Sequence, residues 1–158
     1  MVFNRIGIKI FSYYFFSIIR IFMGLLFFYS GVSKFASIAN FRYSVVSLKL
    51  FSFELTEIIT YAIPSIEIIL GFLLIVGLFI RFAAIHLNVL MLGFTYISFH
   101  ALQLNLGECN CLGGFVAMKY DSSHFILLFI LFTLNVFIAL NKTNFWAADN
   151  IIFKKKKE

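Results

Sequence analysis

Charge is scarce in this chain of 158 residues, proline is nearly absent, and cysteine is reduced to two positions. Only 13% of the residues are charged against 62% hydrophobic, with 23 Phe, and that balance excludes a soluble domain. A soluble fold of this size has too little interior to hide so much apolar surface. One Pro and 9 Gly leave little room for irregular backbone. Exposed sheet edges are excluded as well, because lipid cannot satisfy their backbone groups. No repeat or low-complexity linker is visible, and without an inverted repeat four spans give a poor path for a transported substrate. The first apolar stretch lacks a small-residue cleavage site and is too long for a signal peptide, so it reads as a retained span.

What the chain does have is four apolar segments near the length of about 20 residues that a bilayer core requires. They cover about 10–33, 58–80, 82–104 and 124–140. The expected fold is all-α: an integral membrane four-helix bundle, one domain over 1–158, with a basic tail over 141–158. Lys and Arg mark the cytoplasmic side of such a bundle. Arg5, Lys9, Arg81, Lys142 and Lys154 to Lys157 would lie on one side, and Lys34, Arg42, Lys49 and Lys119 on the other. The first group is the larger, which predicts that both termini are cytoplasmic. The protein is then a multi-pass component of the inner membrane if the source is a bacterium. The net charge of +6 calls for no nucleic acid, because the terminal lysine run serves as an anchor beside anionic lipid.

The segment between the first two spans is more than a linker. Ile38, Phe41, Val45, Leu48 and Phe51 recur at helical spacing with polar residues between them. This predicts a short amphipathic helix lying in the outer interface.

Charges inside a span are costly and face the bundle interior, where they meet partners. Arg20 and Glu67 are two such residues. Counted at about 1.5 Å per residue, Arg20 is roughly 16 Å from Lys9 and Glu67 roughly 21 Å from Arg81. With both reference points at one face, the two side chains would lie close enough to pair. Arg20, Gly24, Phe27, Gly31 and Lys34 share one face of the first helix, and Glu57, Pro64, Glu67 and Gly71 one face of the second. Small residues at such an interface let two backbones approach. Pro64 is expected to kink its helix near Thr60 or Tyr61. An Arg20–Glu67 pair would serve either as a register pin or as a polar site for a proton or a quinone headgroup.

Both cysteines, Cys109 and Cys111, lie in a polar break between the third and fourth spans, in Gly107-Glu108-Cys109-Asn110-Cys111-Leu112-Gly113-Gly114. On the predicted topology this loop faces outward, into a compartment that favours disulfides. A Cys-x-Cys disulfide closes a small, strained ring of the exchangeable kind. Gly113 and Gly114 supply the backbone freedom such a ring needs. His100 and His124 flank the loop from the adjoining helix ends. With Glu108 they are candidate modulators of thiol ionisation. His86 and Asn88, in the inner half of the third span, are packing or interhelical hydrogen-bonding residues. Three chemistries stay open at the cysteines: thiol–disulfide exchange, a static disulfide, and a copper or zinc site completed by His100 and His124. Passing electrons onward within the chain would need a second cysteine pair, which it lacks. A redox-active pair must therefore exchange with a partner and be reset from outside the chain.

Arg20 with Gly24, followed by Ser30-Gly31-x-x-Lys34, resembles the first-helix signature of the DoxX-like membrane proteins. Within that group, Pro64-x-x-Glu67-x-x-x-Gly71 and Cys109-x-Cys111-x-Gly113 resemble the MauE, or methylamine-utilisation, branch. Leu112 replaces the usual Phe of that branch, a conservative change. The likeness runs over roughly residues 15–140 in order and spacing. It implies a four-helix membrane protein that supports maturation of disulfide-rich exported proteins. A periplasmic thioredoxin-like or disulfide-containing protein would be its partner. Cys109 and Cys111 would be the redox pair, and Arg20, Lys34 and Glu67 the polar core. A quinone is the one cofactor the resemblance brings in, and no metal is assigned. The expected function is thiol–disulfide exchange, with assembly into an oligomer left open. The alternative is a non-catalytic membrane subunit that anchors a larger complex.

Overall fold

The computed structural model describes the backbone of residues 2–104, 108–109, 118–119 and 122–140, and the side chains of residues 14–104 and 123–140. Five helices carry the described chain: α1 (Val2–Ala36), α2 (Ile38–Ser47), α3 (Phe53–Val76), α4 (Ile80–Gln103) and α5 (Ser122–Leu140). Four of them contain stretches long and apolar enough to cross a membrane: Tyr14–Ala36, Phe53–Val76, Ile80–Gln103 and Ser123–Leu140. The chain is thus an all-helical, multi-pass membrane protein. Its only described strands are β1 (Glu108–Cys109) and β2 (Met118–Lys119), an antiparallel pair that sets Glu108 opposite Lys119 and Cys109 opposite Met118.

The second span begins earlier than its apolar run suggests. Ser52 caps α3, its hydroxyl accepting from the Leu55 N–H at 3.4 Å, and Glu54 occupies the first turn. A carboxylate there complements the positive end of the helix dipole, so Glu54 and Glu57 extend the helix instead of stopping it. The other end is fixed by Gly77, whose φ of 78° is left-handed. The Gly77 and Leu78 N–H groups both reach the Leu73 carbonyl at 2.9 Å. Phe79 is left-handed too, and α4 starts immediately after it. Arg81 therefore sits in the first turn of α4. The α3 helix runs unbroken through Pro64. The Ser65 hydroxyl donates to the Tyr61 carbonyl at 2.7 Å, and the Thr60 hydroxyl to the Thr56 carbonyl at 2.7 Å.

α1 and α3 pack backbone against backbone. A Cβ placed on Gly71 would stand 2.6 Å from the Phe28 nitrogen, and one on Gly31 would stand 2.7 Å from the Pro64 carbonyl oxygen. No side chain other than hydrogen fits these contacts. The core between the helices includes Met23 and Phe27 of α1, Leu74 of α3, Leu87 and Met91 of α4 and Ile138 of α5. Outward faces carry Phe72, Phe82 and Phe129, as expected of surfaces solvated by acyl chains. The short helix α2 buries Phe41 and Val45 against the bundle and leaves Tyr43 and Val46 exposed, and it ends at Ser47, before Leu48 and Phe51 of the predicted stripe.

Candidate functional site

A periodic buried face on α1 carries Arg20, Ser30 and Lys34 inward, all at most 2% exposed. On α3 the corresponding face carries Glu67, fully buried. The Gly31–Pro64 contact brings these faces together at one level, and there Lys34 meets Glu67. The Lys34 ammonium donates to Glu67 Oε1 at 2.5 Å and to the Ser30 hydroxyl at 3.0 Å. Ser30 in turn stands 3.4 Å from the second carboxylate oxygen. Phe94 of α4 places its ring centroid 4.7 Å from the ammonium, and Phe41 of α2 places its own at 5.7 Å. A buried carboxylate, an ammonium, a hydroxyl and two aromatic faces thus form one closed cluster drawn from four helices. Such an arrangement holds a charge in a low-dielectric interior through an opposite charge, hydrogen bonding and ring quadrupoles together.

The partner of Glu67 is therefore Lys34, and the expected Arg20–Glu67 pair is not formed. Gly24 faces Gly71 and Ile75, and Gly31 faces Pro64 and Glu67, so the helices run antiparallel with a fixed offset. Continued along α1, that offset sets Arg20 level with the end of α3 near Gly77. At about 1.5 Å per residue this is roughly 15 Å from the level of Ser30. The depth count fails because α1 extends well past the α3–α4 turn, so Lys9 and Arg81 are not level markers. Arg20 is buried at its own level of the bundle and takes no part in the Lys34–Glu67 cluster.

A second polar contact joins α4 to α5. Ser98 and His124, both buried, share a hydrogen bond of 3.0 Å between the hydroxyl and Nε2. Deeper along the same helices, Asn135 donates to the Ala84 carbonyl at 3.0 Å and to Asn88 Oδ1 at 3.3 Å. Asn88 is thus an interhelical residue as expected, whereas His86 bonds the Phe82 carbonyl of its own helix and is exposed. His100 lies two residues beyond Ser98, with its Nδ1 buried and without a hydrogen-bond partner among the described residues. Of the loop residues, Glu108 and Cys109 enter β1 through their backbones. Cys111, Gly113 and Gly114 lie outside the described residues, as do the side chains of Glu108 and Cys109. Among the described residues, no three His, Cys, Asp or Glu side chains converge as a metal set.

The resemblance grouped Lys34 and Glu67 with Arg20 in one polar core without pairing them, and sequence reading missed Ser30, Phe94, Ser98 and Asn135 as members of polar clusters. Ser30 carried a usable signal, the i to i+4 spacing that places it one turn from Lys34. Ser98 and Asn135 carried none, because a neutral polar residue in a span has no local mark of its partner.

Four apolar helices around a buried ion pair define an integral, multi-pass membrane protein. More specifically, the chain belongs to the MauE family: the family model described as "Methylamine utilisation protein MauE" matches residues 12–146. Membership suggests a membrane protein of methylamine utilisation. No curated protein and no solved structure matches the chain significantly.

Proposed function

We propose that this protein is a thiol–disulfide exchange component of the inner membrane, related to the DoxX-like proteins, with its termini in the cytoplasm and its cysteine loop in the periplasm. α2 would lie in the outer interface. The observation that carries the reading is that the only two cysteines stand one residue apart in the sequence joining α4 to α5, outside the four apolar helices. An inert packing role would place them within the helices. In the proposed reaction, a thiolate of an exported partner attacks the Cys109–Cys111 disulfide to form a mixed disulfide. The partner's other thiolate then displaces the remaining sulfur. The partner leaves oxidised, and Cys109 and Cys111 hold both electrons and both protons as thiols. A thioredoxin-like oxidant, or a quinone dissolved in the membrane, would accept them and restore the disulfide. His100, Glu108 and His124 would tune thiol ionisation. Lys34 and Glu67 would hold the helix frame beneath the loop.

The test is thiol trapping of Cys109 and Cys111 in membranes across a glutathione series. A reduction potential near or above about −200 mV is expected for an exchanging pair. A pair that stays oxidised below about −300 mV is a fixed staple. The closure of the Lys34–Glu67 cluster by Phe41 and Phe94 favours a second reading, a non-catalytic subunit that anchors a larger complex. Under that reading, replacing both cysteines by Ser leaves maturation of the partner intact.

A further inference from the structure

Beside the buried cluster, α2 and α3 enclose a groove of about 490 Å³. Its apolar lining comes from Ile38, Ala39 and Val46 of α2, and its polar lining from Arg42 and Tyr43 of α2 and Thr60 and Tyr61 of α3. The volume falls in the range of roughly 300–1,000 Å³ common to small-molecule sites. Tyr43, Val46 and Tyr61 are exposed, so the groove opens to the outside of the bundle. α2 begins two residues after the end of α1, and on the interfacial placement proposed above that outside would be the boundary between acyl chains and headgroups.

Arg42 gives the groove its chemistry. Its Nη2 pairs with Glu57 of α3, and its guanidinium lies 5.7 Å from the centroid of the Phe53 ring. A guanidinium carries several N–H donors in a planar fork and no acceptor. One carboxylate contact therefore leaves donors available, and the side chain is about half exposed. A fork of donors beside two tyrosines, opening onto an apolar wall, complements an anionic phosphodiester joined to an acyl chain.

We propose that this groove binds one membrane phospholipid, with its phosphodiester on Arg42 and one acyl chain along Ile38, Ala39 and Val46. The inference rests on the interfacial placement of α2 and is independent of any cysteine chemistry. The bound lipid would fasten α2, and with it the Phe41 ring, over the Lys34–Glu67 cluster.

The test uses the full chain purified in mild detergent. Native mass spectrometry counts retained lipid, and thermal unfolding is followed on adding phosphatidylethanolamine or phosphatidylglycerol in micelles. Arg42→Gln and Glu57→Gln both remove the same ion pair, but only Arg42→Gln removes the phosphate ligand. Wild type and Glu57→Gln are expected to retain one lipid and to be stabilised by added lipid. Arg42→Gln should bind about tenfold more weakly, the factor set by one charge-assisted bond. Ala39→Trp, which fills the groove and leaves the charges in place, should also lose the lipid. Equal loss in Glu57→Gln and Arg42→Gln would reduce the effect to the ion pair and overturn the proposal. So would unchanged lipid in Ala39→Trp, or equal stabilisation by inorganic phosphate alone, which would reassign the site to a free anion. A copurifying peptide in place of lipid would overturn it too. A chain with both cysteines changed to Ser should bind lipid as wild type does, which keeps this outcome separate from that of the redox reading.

Discussion

The two sides of the bundle are joined by different physics. α1 and α3 touch through their backbones at Gly24, Gly31 and Gly71 and bury a full ion pair between them. α4 and α5 are joined by side-chain hydrogen bonds instead, Ser98 with His124 and Asn135 to Ala84 and Asn88. On α4, Gly93 faces open space, with nothing within 4 Å of where its Cβ would stand. In lipid there is no hydrophobic drive to hold helices together, so each interface depends on close packing and polar contacts. The comparison shows what a buried charge requires. A lysine and a glutamate are held in the bundle only where fixed backbones, a hydroxyl and two rings surround them. Between α4 and α5 the described polar contacts are hydrogen bonds, with no described ion pair.

The largest effect should come from removing half of the ion pair. Lys34→Met strands the Glu67 carboxylate and is expected to cost about 3–5 kcal/mol in detergent unfolding. The double change Lys34→Met with Glu67→Leu should recover most of that loss. If the double variant falls further instead, the charges do more than balance one another.

Next comes the glycine contact. Gly71→Ala puts a methyl group 2.6 Å from a backbone nitrogen that cannot move aside, and about 1–3 kcal/mol should be lost. Gly93→Ala has room and should be neutral or stabilising by up to about 1 kcal/mol, the helix preference for Ala over Gly. Equal losses at the two positions would show that the Gly71 loss does not come from its contact with the α1 backbone.

The smallest effects belong to α4 and α5. Ser98→Ala and Asn135→Leu should each cost about 0.6–1.7 kcal/mol, the scale of single hydrogen bonds between membrane helices. Losses as large as that of Lys34→Met would show these hydrogen bonds to be as indispensable as the ion pair.

Much of this was legible from residue order alone. The buried stripe of α1 follows the spacing of Arg20, Gly24, Phe27, Gly31 and Lys34, and the inward face of α2 follows Phe41 and Val45. The start of α3 was misread because Glu54 and Glu57 look like an end of hydrophobicity, whereas a helix can begin through acidic residues after a Ser cap. The partner of Glu67 was misread because Lys9 and Arg81 do not mark one level: α1 runs well past the α3–α4 turn, and Lys9 lies inside α1.

By itself, the sequence determined four apolar spans, an amphipathic connector, the faces that turn inward and the separation of both cysteines from the helices. These follow from composition and from the 3.6-residue period, which are local properties of a chain in lipid. The tertiary structure alone decided that Lys34 meets Glu67, that Ser98 meets His124 and that Arg42 borders a groove. Each of those pairings depends on the offset between two helices. That offset is set by where glycine lets the backbones touch, and no repeat within a single helix encodes it.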